Sequence, residues 1–187
     1  MKKAMTPEFR ASFATLFEPK GFQGNDPKYS IVMLFDKTTD ISELKNLAKE
    51  AVEEKWPDPD KRPANLRHPF RDGDVEKPDM DGYRGKIFVN ATSKIRPGVV
   101  DQHKVQILDD NPETGFYSGC YARATVVAFA YDKAGNRGVS FGLQNVQKLR
   151  DGDTFTGRAR AEDEFDAVAD TGATASATQT DPNDMFS

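Results

Sequence analysis

Between Phe9 and Phe17 the chain alternates. Phe9, Ala11, Phe13, Thr15 and Phe17 fall on one side, and Arg10, Ser12, Ala14 and Leu16 on the other, the period-two pattern of a half-buried strand. A run dense in turn formers, Glu18 to Pro27, leads to Lys28–Phe35, whose Tyr-Ser-Ile-Val-Met-Leu-Phe core predicts a central strand. Ile41, Leu44, Leu47, Ala48, Ala51 and Val52 then recur at three- and four-residue spacing. With Thr39 or Asp40 as cap and Pro57 as stop, this predicts a helix over 41–55.

The stretch from Pro57 to Gly85 is rich in Pro, Gly and charge, and it reads as a long loop. A loop of that length in a compact domain is functional or disordered, and the residues it carries (Arg67, His68, Phe70, Arg71, Tyr83, Arg84) favour function. Strand character returns at Lys86–Ser93 and, briefly, at His103–Leu108. Gly119–Tyr131 and Gly138–Leu149, joined by the Gly-containing Asp132–Arg137, predict a hairpin. About six strands and one helix, with no strand–helix rhythm, imply a mainly β protein: a small antiparallel barrel.

Composition narrows the chemistry. Of 187 residues 30% are charged, and all 26 Lys and Arg precede position 161, so residues 1–160 carry a net +3 and the last 27 residues −7. That division predicts a binding domain over 1–160 and an acidic tail over 161–187, whose Thr-Gly-Ala-Ser spacer has too little apolar surface to order. The tip carries Asp181, Asp184, Met185 and Phe186, acids beside two large apolar side chains, and reads as a short partner-binding anchor or as a frayed end. The longest apolar stretch, 124–131, is far below the roughly 20 residues of a membrane-spanning helix, so no membrane contact is expected. No apolar leader follows Met1-Lys-Lys, which points to the cytoplasm.

With a single Cys120 and two histidines, neither a disulfide nor a thiolate zinc cluster can form within the chain. No nucleophile elbow, Walker loop or paired-histidine motif is present, so no enzyme, metal or cofactor is expected. One alternative is a metal-dependent nuclease built on Asp72, Asp74, Glu76, Asp79 and Asp81, although the cations Arg71, Lys77 and Arg84 beside them suit a self-neutralising loop better.

The stronger signal is the interleaving of aromatic and basic residues. Tyr121, Arg123, Phe129 and Tyr131 share a strand face opposite the small apolar row Cys120, Ala122, Ala124, Val126. Lys86 and Phe88, Tyr83 and Arg84, and Phe70 and Arg71 repeat the pairing. Cations that track phosphates and rings that stack on bases are what a single strand requires, though each ring taken alone is as well explained by a core.

The sequence resembles the bacteriophage single-stranded DNA-binding proteins of the OB-fold type. The resemblance is carried by Phe9-Arg-Ala-Ser-Phe-Ala-Thr-Leu-Phe-Glu-Pro, Lys28-Tyr-Ser-Ile-Val-Met-Leu-Phe-Asp, Leu66-Arg-His-Pro-Phe-Arg-Asp-Gly-Asp, Tyr83-Arg-Gly-Lys-Ile-Phe-Val-Asn-Ala, Arg96-Pro-Gly-Val-Val, Tyr117-Ser-Gly-Cys-Tyr-Ala-Arg and Gly142-Leu-Gln-Asn-Val-Gln-Lys-Leu-Arg-Asp-Gly. It implies an OB-fold-like barrel that coats single-stranded DNA in phage replication or recombination without a cofactor. It also implies pairing into homodimers, a place in the host cytoplasm, and an acidic tail that contacts replication proteins. In the family pattern the tail ends on an aromatic, whereas Ser187 follows Phe186 here. The expected groove cations are Arg67, Arg71, Arg84, Lys86, Arg96 and Arg123; the expected stacking residues are Phe70, Tyr83, Phe88, Tyr117 and Tyr121. RNA in place of DNA remains open, since no residue reads a 2′-hydroxyl.

Overall fold

A computed structural model describes residues 2–21, 23–155 and 167–168. Apart from 167–168, the predicted acidic tail with its tip, Asp181, Asp184, Met185 and Phe186, lies outside the described residues, as does the domain boundary at 160. The strands are β1 (Lys3–Met5), β2 (Phe9–Lys20), β3 (Lys28–Asp36), β4 (Arg71–Asp72), β5 (Lys86–Ser93), β6 (Gly98–Val100), β7 (Tyr121–Lys133) and β8 (Asn136–Arg150), with helices α1 (Ser42–Lys55) and α2 (Gly73–Glu76). Pairing runs β7–β2–β3–β5–β8 and returns from β8 to β7, so five strands close into a barrel. All of these pairings are antiparallel except β5 with β8. The mainly β barrel expected from the pattern is therefore the fold.

Inward positions are those with small or branched apolar side chains. On β3 and β5 the opposed pairs Ile31–Ala91, Met33–Val89 and Phe35–Ile87 face the core, and β7 contributes Cys120's neighbours Ala122, Ala124 and Val126. Phe9 meets Phe35 edge-on, with ring centroids 5.8 Å apart. Helix α1 buries Leu44, Leu47, Ala48 and Ala51 and packs on β7, β8 and β1, as its spacing predicts. Its N-cap is Ile41, with no side-chain cap, and the Asp40 carboxylate just before it accepts from Ser42 N–H at 2.9 Å. Cys120 is buried, and desolvation pushes its thiol up to about 11, which makes it an inert core residue.

Four expectations change. The hairpin loop is shorter than the composition suggests: Ala134 and Gly135, both at positive φ (49° and 84°), form a two-residue turn whose twist matches the flanking strands. The 103–108 segment is no strand; only a single bridge, Val100 with Gln106, marks it. The loop 57–85 holds β4 and α2, the latter started by Asp72 accepting from Asp74 N–H. Most consequentially, β2 does not alternate throughout. Ser12 pairs with Val32 but Thr15 pairs with Ser30, so one extra residue is inserted at 13–14. The insertion turns Phe13 outward, 60% exposed, and hands its core position to Leu16.

Candidate nucleic-acid interface

The outward positions of the barrel form cross-strand rows. Thr15, Ser30 and Thr92 make one, and Val32 with Asn90 the next. On the adjoining hairpin, Ser140 lies opposite Phe129, and Gly138 opposite Tyr131. Small polar side chains thus leave a shallow floor across the sheet, with Asn90 exposed and Thr92, Ser30 and Ser140 half-buried.

At one end of this floor lies a cleft of about 540 Å³ whose lining includes Arg67, His68, Arg71, Glu76, Asn90, Tyr131 and Ser140. Its wall is fixed by backbone: Arg67 N–H donates to Arg137 C=O at 2.9 Å, and Val139 N–H to Arg67 C=O at 3.0 Å. The close approach requires Gly138, because a Cβ there would overlap the Arg67 carbonyl oxygen. Phe70 anchors the same loop by packing edge-on against buried Phe141, with centroids 5.9 Å apart. Arg71 lies over the Phe88 ring at 4.9 Å and pairs with Glu76. Arg67 and His68 are exposed and carry no carboxylate partner among the described residues, so their charge and donors point at whatever enters. The site couples cations, an aromatic ring, the Asn90 amide and the Glu76 carboxylate that pairs with Arg71.

The carboxylates nearby are occupied. Lys37 bridges Asp72 and Asp74 at 2.9 and 2.8 Å, and its ammonium holds both carboxyls below the usual aspartate range. No cluster of three or more His, Cys, Asp or Glu suited to a metal occurs among the described residues. Of the five acids in that loop, Asp72 and Asp74 pair with Lys37 and Glu76 pairs with Arg71, while Asp79 and Asp81 line a neighbouring cleft.

Residues 2–175 match the protein family described as Enterobacter phage Enc34, ssDNA-binding protein. The chain belongs to this family. A curated relative, "Putative protein p50" of Acyrthosiphon pisum secondary endosymbiont phage 1, is 39% identical over 173 residues, covering 86% of this chain and 90% of that one. Among solved structures, the single-stranded DNA-binding protein of bacteriophage Enc34 in complex with ssDNA superposes with a TM-score of 0.69 at 24% identity, over 82% of this chain and 89% of the other. The gp2.5 single-stranded DNA-binding protein of bacteriophage T7 gives a TM-score of 0.56 at 17% identity, over 86% and 98%. Both likenesses are of fold.

In this member of the Enc34 ssDNA-binding family the sequence-predicted residues divide. Arg67 and Arg71 meet in the cleft, with Phe70 half-buried beneath them. Arg84 is exposed near the cleft's loop, while Lys86 pairs with Asp36 on the same outer face. Three of the expected stacking residues are corrected: Tyr83, Phe88 and Tyr117 are 2%, 2% and 4% exposed and present no ring face to a base. Tyr83 and Phe88 pack edge-on, 5.3 Å apart, in a second apolar layer with Leu34 outside the barrel. The Tyr83 hydroxyl donates to Ser12 Oγ at 3.0 Å, and burial raises its pKa. Tyr117 donates to Asp151 at 2.9 Å.

Tyr121 and Arg123 lie at the far end of β7, where the Arg150 guanidinium covers the Tyr121 ring at 3.6 Å and Arg123 donates to Gln147 at 2.8 Å. A register shift between Thr125 and Val126 separates that end from Phe129 and Tyr131. Arg96 lies over the Phe17 ring at 5.8 Å, apart from the cleft. His68, Asn90 and Tyr131 line the cleft but were not among the binding residues expected from the sequence. Tyr131 was legible as an outward aromatic but not as the neighbour of Arg67, since that proximity comes from a single bridge 71 positions along the chain from the loop to Gly138.

Proposed function

We propose that this protein binds single-stranded DNA without sequence preference, coating and protecting it during phage DNA replication and recombination, and that it does so without catalysis. The observation that carries the reading is the cleft of Arg67, His68, Arg71, Asn90 and Tyr131 on the outer face of a barrel whose family is named for ssDNA binding. Cations there neutralise phosphate, Tyr131 offers a ring to a base, and the small polar floor lets the strand lie close. A site of roughly 4–16 nucleotides per barrel follows. The test is fluorescence anisotropy of a labelled oligonucleotide at two salt concentrations, challenged with unlabelled duplex and with RNA of the same sequence. Binding that weakens steeply with salt and survives the duplex supports the reading; affinity that is flat across salt, or preference for RNA, sinks it.

Arg67→Ala is expected to weaken binding several-fold for every sequence alike and to flatten the plot of log affinity against log salt by about 0.7, one phosphate's share on a single strand. An unchanged slope would place the phosphate path elsewhere. Residues 161–187 are proposed as a tail that competes with DNA for the basic body and recruits replication proteins through Asp181, Asp184, Met185 and Phe186. Truncation after Arg160 removes seven acids and no base, so it should tighten DNA binding at low salt. Weaker binding by the truncated protein would refute the competition.

A further inference from the structure

Phe13 is an anomaly of the fold. It lies on a bulge of β2 with φ of +43°, a region that residues with a side chain seldom occupy, and most of its ring faces solvent between the buried Ser12 and Leu16. The bulge is held in place: Ala14 N–H donates to Ser118 Oγ at 3.2 Å, and Thr15 and Ser30 hydroxyls meet at 2.8 Å across the next pair. A backbone so constrained to expose a large ring is the pattern that functional positions show.

The ring forms one wall of a cleft of about 710 Å³, the size range of small-molecule sites, whose other apolar lining is Pro78, Met80, Tyr83 and Phe155. Phe155 is fixed there by the Arg10 guanidinium, 4.1 Å from its centroid, and by its own N–H donating to Ser118 C=O at 3.2 Å. The charged residues that line it, Glu76, Lys77, Asp79 and Asp81, sum to a net negative charge. A phosphate is disfavoured against such a lining, whereas an uncharged, flat, apolar-faced group is not. Ser12, at the start of the bulge, is opposite Val32, which is opposite Asn90 of the Arg67 cleft, so the two clefts flank one sheet face.

We infer that Phe13 is a base-stacking side chain: its cleft receives an unpaired nucleobase of the strand whose phosphates are held on the Arg67 side. The inference rests on the reading of this face as a single-stranded DNA site and adds a residue and a division of labour to it.

The experiment compares wild-type protein with Phe13→Ala, Phe13→Gly and Phe13→Trp, titrated into labelled oligo(dT) of about 16 nucleotides and into an abasic oligomer of the same length. Loss of the ring is expected to weaken oligo(dT) binding about five- to hundred-fold, with the salt slope unchanged because no phosphate contact is lost. Phe13→Trp retains the affinity. On the abasic strand the wild type and Phe13→Ala bind alike. Phe13→Gly keeps the fold in view, since glycine suits the positive φ and its urea midpoint should equal or exceed that of the wild type. Wild-type binding that Phe13→Gly leaves intact overturns the stacking role alone. An equal loss on both strands also overturns it, because the ring would then act on the fold. If the wild type itself fails to bind oligo(dT), the underlying DNA reading falls and this inference falls with it.

Discussion

Phe141→Ala is expected to lower stability by about 3–5 kcal/mol, read as a fall in the urea midpoint with little change in slope. Phe141 is fully buried on β8, opposite Ala91 of β5 and Ala128 of β7, where the barrel closes. Both neighbours are alanines, too small to refill the volume, so the cavity persists and the cost lies toward the upper end for a lost phenyl ring. The ring also carries Phe70, whose edge-on packing anchors the Arg67–Arg71 wall of the cleft. Binding to single-stranded DNA should therefore weaken in Phe141→Ala even where the protein is still folded. A loss below about 1 kcal/mol would mean that the seam is not packed as described.

The second large effect is expected at Gly119. Its φ of +119° disfavours any side chain, and a Cβ would overlap the Asp153 carbonyl oxygen, a backbone atom that cannot swing away. Gly119 is also tied in at both ends: its N–H donates to Ala11 C=O at 2.8 Å and its C=O accepts from Arg10 Nε at 3.2 Å. Gly119→Ala should cost roughly 3–5 kcal/mol by thermal or urea unfolding, the sum of backbone strain and overpacking. Gly85→Ala separates the two contributions, since Gly85 has φ of +69° with open space around it, and its replacement should cost about 1–3 kcal/mol. Equal losses at both positions would show that the Asp153 contact contributes nothing.

The parts of the fold that a sequence displays are those governed by one periodicity. Helix α1 was legible because it keeps a single period over a dozen residues, and the β7–β8 hairpin because two long strand-like runs flank a Gly-containing turn, in spite of register shifts within the pair. Phe13 was misassigned to the core because one inserted residue exchanges the two faces of a strand, and no residue type announces a bulge. Tyr83, Phe88 and Tyr117 were misread for a different reason. An aromatic beside a cation looks the same whether it stacks on a base or on its own protein, and here a second apolar layer outside the barrel takes Tyr83 and Phe88. The exposure of Arg67 and Arg71 in the cleft was legible because cations in a Pro-rich loop have no core role to compete for them.

The barrel is closed by two short ladders of two pairs each, and at one of them, Ala91 with Phe141 and Thr92 with Gly142, the Arg67 wall rests on the strand just beside the seam. Opening the seam and dismantling the cleft are thus one event. On the reading that the cleft holds DNA, a strand at a hundred times its dissociation constant adds about 2.7 kcal/mol against that opening. Bound molecules would be the long-lived ones, while surplus protein without a strand would be first to reach the proteases of the cell. The supply of exposed single strands would then regulate the amount of protein that covers them, through turnover alone.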